Sequence, residues 1–174
     1  MIRGTMKAIL RLLFVAACLL GATGLAFGDS YSLANSNGGD GYVVGDYPAF
    51  QLFGADNEVD DNFTTFTTTV SAAETLNLNW SYSTEDEYSS WDPAGYILNG
   101  TKFELISSDA ISGNGVLSID LKAGDTFGWY VYTPDGLAGR GEIDVTPTPE
   151  PGSMLLLGSG LAGLVSLVRR KRAA

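Results

Sequence analysis

The stretch LNLNWSYS, residues 76–83, alternates apolar and polar side chains with a period of two. Leu76, Leu78, Trp80 and Tyr82 fall on one side, Asn77, Asn79 and Ser81 on the other. An extended strand with one buried and one wet face produces this alternation, whereas a helix would scatter the same residues around its circumference. The pattern recurs at Leu117, Ile119 and Leu121, at Phe127, Trp129 and Val131, and at Ile143 and Val145. Residues 63–70 are rich in threonine, which suits a strand with a polar face. Turn chemistry punctuates these runs at Asn37-Gly38-Gly39, Asn99-Gly100, Gly113-Asn114-Gly115, Ala123-Gly124-Asp125 and Pro134-Asp135-Gly136. No helical period competes. The expected fold is all-β, a single β-sandwich or jelly-roll-like domain of about eight strands over residues 29–145. Tyrosine and tryptophan on such strands are expected to pack the core rather than to serve as sugar platforms.

Charge and composition narrow the function. The formal net charge is -10, and seven of the ten cations lie near the termini. Between residues 29 and 148 only Lys102, Lys122 and Arg140 face nineteen acids. A surface this acidic argues against binding nucleic acid through its phosphates. The chain has no histidine, and its one cysteine is Cys18. An imidazole-based triad, a thiol nucleophile and His/Cys zinc or copper sites are therefore not available to the domain. Nor can it form an internal disulfide, so its core or a bound metal must hold it together.

The N-terminal residues 1–28 have the layout of a signal peptide. Arg3, Lys7 and Arg11 precede the apolar run LLFVAACLLGATGLAF (12–27), with small residues at Ala26 and Gly28 before the polar Asp29. Two other readings stay open: an uncleaved anchor, and a lipoprotein box at Val15-Ala16-Ala17-Cys18 with Cys18 as lipid acceptor. At the other end, Gly152 to Val168 is a run of 17 uncharged residues. As a helix it spans about 25 Å, enough for a thin bilayer. Arg169, Arg170, Lys171 and Arg172 follow as a topology anchor that stays cytoplasmic (169–174) and leaves the domain outside. Pro147, Pro149 and Pro151 keep the 146–151 linker extended and accessible to a processing enzyme.

Pro149-Glu150-Pro151, the Gly- and Leu-rich span and the terminal Arg cluster, in that order, resemble the PEP-CTERM sorting signal of bacterial exported proteins. The resemblance covers residues 147–172. It implies secretion, transient membrane anchoring with the domain outside, and recognition by an exosortase, a membrane-embedded cysteine-type protease that cuts near the motif. The protein would then pass to the cell surface or the extracellular space of a bacterium that makes extracellular polysaccharide. Residues 62–145 are similar to a domain of unassigned role that recurs in such proteins, and share the order of features in CUB domains without their cysteines.

The second resemblance points to calcium. Glu85, Asp86, Asp92 and Asp135, with Glu87, sit on loops that a sandwich gathers at one end, and calcium takes six to eight hard oxygens. The run Asp56 to Asp61 is a further acidic candidate, though it lacks the glycine and distal glutamate of an EF-hand loop. Glu85 and Asp92 would in principle divide the acid and base roles of glycoside hydrolysis, but nothing in the sequence sets them in a sugar-lined cleft. The expected function is non-catalytic: a structural or adhesive component of the exopolysaccharide matrix, or a carbohydrate-binding module contacting sugar through Trp91 or Tyr96.

Overall fold

The computed structural model of this chain describes residues 30–106, 109–148 and 158–160. The signal segment, Pro149-Glu150-Pro151, the basic anchor and most of the apolar span lie outside the described residues. Gly158 to Gly160 are helical. Among the described residues no helix is long and apolar enough to cross a membrane.

The described residues form ten strands: β1 (Ser32–Asn35), β2 (Tyr42–Asp46), β3 (Ala49–Phe53), β4 (Asn62–Thr69), β5 (Glu74–Thr84), β6 (Ala94–Leu98), β7 (Thr101–Glu104), β8 (Ser112–Leu121), β9 (Thr126–Thr133) and β10 (Gly141–Pro147). They build two antiparallel five-stranded sheets, ordered β1-β4-β9-β6-β7 and β2-β3-β10-β5-β8. The fold is an all-β sandwich. Short edge strands such as β1 and β7, four residues each and exposed throughout, carry no alternation and bring the count above eight.

The period-two runs supply the core. Leu76, Leu78 and Tyr82 of β5, Phe127, Trp129 and Val131 of β9, and Ile143 and Val145 of β10 are buried between the sheets. Phe127 and Phe50 meet the Trp129 ring edge-on, with centroids 6.1 and 6.5 Å away. Each large apolar side chain buried this way stabilises the fold by about 1.5–3 kcal/mol. Tyr96 is half-buried at the margin of this interior, stacked on Phe103 at 4.8 Å.

Two local expectations change. Gly113-Asn114-Gly115 is not a turn but lies inside β8, paired with β5. Its glycines make room for a ring: a Cβ on Gly115 would meet the Trp80 indole at 2.8 Å. In β4 the threonines do not segregate to one wet face. Asn62, Thr64 and Thr68 point inward and are buried. The segment from Ser30 to Ser36 satisfies them: Asn62 Nδ2 donates to the Ser36 carbonyl, Thr64 Oγ1 to Asn35 Oδ1 at 2.8 Å, and Thr68 Oγ1 to the Ser30 carbonyl at 3.0 Å.

The first sheet is strongly curled. Strand alternation puts Ile97 and Tyr130 on its outer side, yet they are only 7% and 5% exposed. Lys102 Nζ of β7 lies 4.0 Å from the centroid of the Phe63 ring of β4. In a flat sheet β7 and β4, with two strands between them, would stand about 14 Å apart. Gly95 and Gly128 permit this bend, because a Cβ on either would run into the backbone of a neighbouring strand, at Phe103 and at Phe66–Thr67.

Candidate functional site at the loop end of the sandwich

Four connections converge where β1, β3, β5 and β9 end. Backbone bonds lace them together, with Glu58 N–H donating to the Gly136 carbonyl at 2.9 Å and Asp61 N–H to the Pro134 carbonyl at 3.0 Å. Asn57 Nδ2 adds a bond to the Gly38 carbonyl at 3.2 Å. Arg140 is the cation set among the acids of this end. Its Nη1 and Nη2 reach Asp40 Oδ1 and Oδ2 at 3.0 and 2.6 Å, and Nη1 also donates to the Gly54 carbonyl at 2.5 Å. This two-pronged geometry holds the Asp40 carboxyl below its ordinary range and raises the guanidinium. Both partners remain partly in water, so the pair contributes on the order of 1 kcal/mol and chiefly fixes position.

Asp92 follows a three-residue 3-10 turn, Ser89–Trp91, and is fully buried. Its Oδ2 accepts from Thr84 Oγ1 at 2.8 Å, its Oδ1 from Thr133 Oγ1 at 3.0 Å, and its carbonyl from the Tyr82 hydroxyl at 2.8 Å. Gly141 lets β10 pass against it, since a Cβ there would lie 2.6 Å from Asp92 Cβ. Burial pushes the Asp92 carboxyl up to about 7 against the opposing effect of the two threonine bonds, and the nearby Asp86 charge raises it further. Asp86 is within hydrogen-bonding reach of Asp92 and is itself raised by burial, with the charges of Asp135 and Asp56 adding to the effect. Asp86 Oδ2 is buried without a hydrogen-bond donor among the described residues. Each carboxyl disfavours ionisation of the other, so the two titrate together.

The predicted calcium ligands are thus divided. Asp86 and Asp92 come together, and Asp135, whose Oδ1 accepts from Leu137 N–H at 3.2 Å, is close enough for Asp86 to feel its charge. Glu85 instead lies against Gly139, where a Cβ would come within 2.5 Å of it, and lines a separate concavity. Among the described residues no group of three or more acidic, histidine or cysteine side chains is arranged to hold a metal ion. Nor does the Glu85–Asp92 pair flank a cleft, because Asp92 has no exposed surface. Of the predicted sugar contacts, Trp91 is 45% exposed on its turn while Tyr96 is half-buried and packed against the core. From the Asp56–Asp61 run, Asp56 joins this end through Gly139 N–H at 3.3 Å, and Asp61 accepts from the Tyr132 hydroxyl at 2.6 Å.

Sequence reasoning missed Asp40, and Thr84 and Thr133 as partners of Asp92. Asp40 and Arg140 stand a hundred positions apart with nothing in their spacing to link them. Thr133 reaches Asp92 because β9 pairs with β6, whereas Thr84 comes from β5 of the facing sheet.

Residues 147–172 match the model of the PEP-CTERM protein-sorting motif. No curated protein sequence matches the chain. Among solved structures it is similar to a native family 35 carbohydrate-binding module from Clostridium thermocellum, with 11% identity, 68% of this chain and 99% of that chain covered, and a TM-score of 0.37. It is also similar to the family 35 module from Cellvibrio japonicus Abf62, at 15% identity, 67% and 93% coverage and a TM-score of 0.34. A family 35 module from an environmental isolate shows 19% identity, 74% and 96% coverage and a TM-score of 0.33.

Proposed function

With a PEP-CTERM sorting motif at residues 147–172 as the premise, we propose that this chain is exported and anchored in the inner membrane as a precursor, which an exosortase then processes at Pro149-Glu150-Pro151. The span 152–168 holds the precursor in the bilayer and Arg169 to Arg172 keep its tail on the cytoplasmic side. The sandwich is left outside, where it serves as a non-catalytic structural or adhesive component of the exopolysaccharide matrix. The motif match is the observation that carries the reading. The acidic surface supports it, since a domain with three cations against nineteen acids stays soluble outside the cell and is repelled by nucleic acid.

Glu150→Ala tests the sorting step. The substitution is expected to leave the sandwich folded and the protein in the membrane fraction at its unprocessed mass, whereas the unaltered chain appears outside the membrane, shortened. Normal maturation of the Glu150→Ala chain, read by immunoblot of the two fractions, would remove the motif from the mechanism.

A further inference from the structure

The outer face of the second sheet carries a row that crosses four strands. Tyr42 of β2 pairs with Phe53 of β3, Phe53 with Glu142 of β10, and Glu142 with Ser83 of β5. Tyr42 and Phe53 stack with centroids 4.6 Å apart and planes at 15°, and Tyr42 is 42% exposed. Loop residues Asp56, Glu85 and Arg140 close the row into a concavity of about 280 Å³. That volume is just under the ~300 Å³ at which small-molecule sites begin, so it suits one ring rather than a chain of them.

The lining is unbalanced in a way that selects a ligand. Arg140 would be the donor for an anion, but Asp40 balances its charge, Asp40 and the Gly54 carbonyl engage both of its terminal nitrogens, and its guanidinium carbon lies over the Tyr42 ring, 5.4 Å from the centroid. What remains are Glu85 and the second carboxylate oxygens of Asp56 and Glu142, beside the Phe53 ring that Tyr42 backs. Glu142 is raised by burial first and then by its neighbour Asp144, against the effect of Gln51 Nε2, which donates to it at 2.8 Å. Stacked aromatic rings take up the apolar face of a pyranose at little entropic cost, while carboxylates accept from its hydroxyl or ammonium groups.

We propose that the concavity formed by Tyr42, Phe53, Glu85, Asp56 and Glu142 binds a single saccharide unit through its hydrogen-bond donors, taking amino sugars with a free ammonium ahead of neutral sugars and rejecting uronic acids. The proposal rests on the reading of the sandwich as a non-catalytic module of the polysaccharide matrix, and names the part of that matrix it contacts.

The test is calorimetric titration of the full chain, held in a detergent without a sugar headgroup, with tetrasaccharides of glucosamine, glucose and galacturonic acid. Affinity is expected to fall in that order, with galacturonate giving no measurable heat. Tyr42→Ala is expected to weaken the first two by at least about tenfold, and Tyr42→Phe to retain them. The double variant Glu85→Gln with Glu142→Gln is expected to bring glucosamine down to the level of glucose. Galacturonate binding as tightly as glucosamine, undiminished binding by Tyr42→Ala, or no binding of any of the three overturns the proposal. Processing of Glu150→Ala is scored separately, so the sorting reading survives or falls on its own evidence.

Discussion

Replacing Asp92 with asparagine is expected to raise the stability of the sandwich at neutral pH and to flatten its dependence on pH. The carboxyl is raised in the folded state to about 7, against about 3.9 in an unfolded chain. A group raised in this way is protonated more readily when folded, so unfolding releases its proton across the interval between the two values. Stability is then full below about pH 4, declines as pH rises, and levels off above about 7. The full shift corresponds to about 4 kcal/mol, an upper value because Asp86 titrates together with Asp92. Asparagine supplies a donor toward Asp86 and an acceptor for a threonine hydroxyl, as the protonated acid does. Alanine supplies neither and leaves the Thr84 and Thr133 hydroxyls stranded, so Asp92→Ala is expected to cost about 2–4 kcal/mol at every pH. Urea denaturation from pH 4 to 8 in EDTA reads both variants. A wild-type stability that rises toward pH 8 would contradict a raised Asp92 carboxyl. Repeating the series with calcium asks whether a cation replaces the proton: a midpoint raised by calcium only near pH 8, and lost in Asp92→Asn, would restore the ligand set expected from the loops.

Gly95→Val is expected to cost at least about 3 kcal/mol, because the new side chain collides with backbone rather than with a movable side-chain tip. Its Cβ falls on the Phe103 carbonyl, so β7 must part from β6. With β7 go the Phe103–Tyr96 stack and the reach of Lys102 to Phe63. Gly100→Val is the control. Gly100 has φ +79° with nothing near its missing Cβ, so the substitution meets backbone strain alone, about 1–2 kcal/mol. Equal losses for the two variants in chemical denaturation would show that curvature of the first sheet does not depend on close approach at Gly95.

Much of the fold was legible because burial between two sheets imposes a period of two. Leu76 to Tyr82, Phe127 to Val131 and Ile143 to Val145 announced their inward faces directly. Asn99-Gly100 was equally readable, since both residues adopt positive φ in the two-residue turn between β6 and β7. Gly113 and Gly115 misled for a physical reason: a glycine that serves a turn and a glycine that accommodates a neighbouring indole look alike in one dimension. The loop end was half legible. That Asp86 and Asp92 meet followed from their being on one connection, but the burial of Asp92 depends on Thr84, Thr133 and Gly141, which reach it from three different strands. The Tyr42–Phe53 stack was hidden for the same reason, being a product of the β2–β3 register rather than of any local pattern.

The sorting account turns on what happens to the carboxyl-terminal segment in living cells. Mass spectrometry of the protein recovered from outside bacteria that carry the chain and an exosortase measures this directly. The account predicts a carboxyl end at or close to residues 149–151, with the apolar span and Arg169 to Arg172 gone. Recovery of every molecule with that basic tail still attached would contradict it and leave a permanently tethered surface protein.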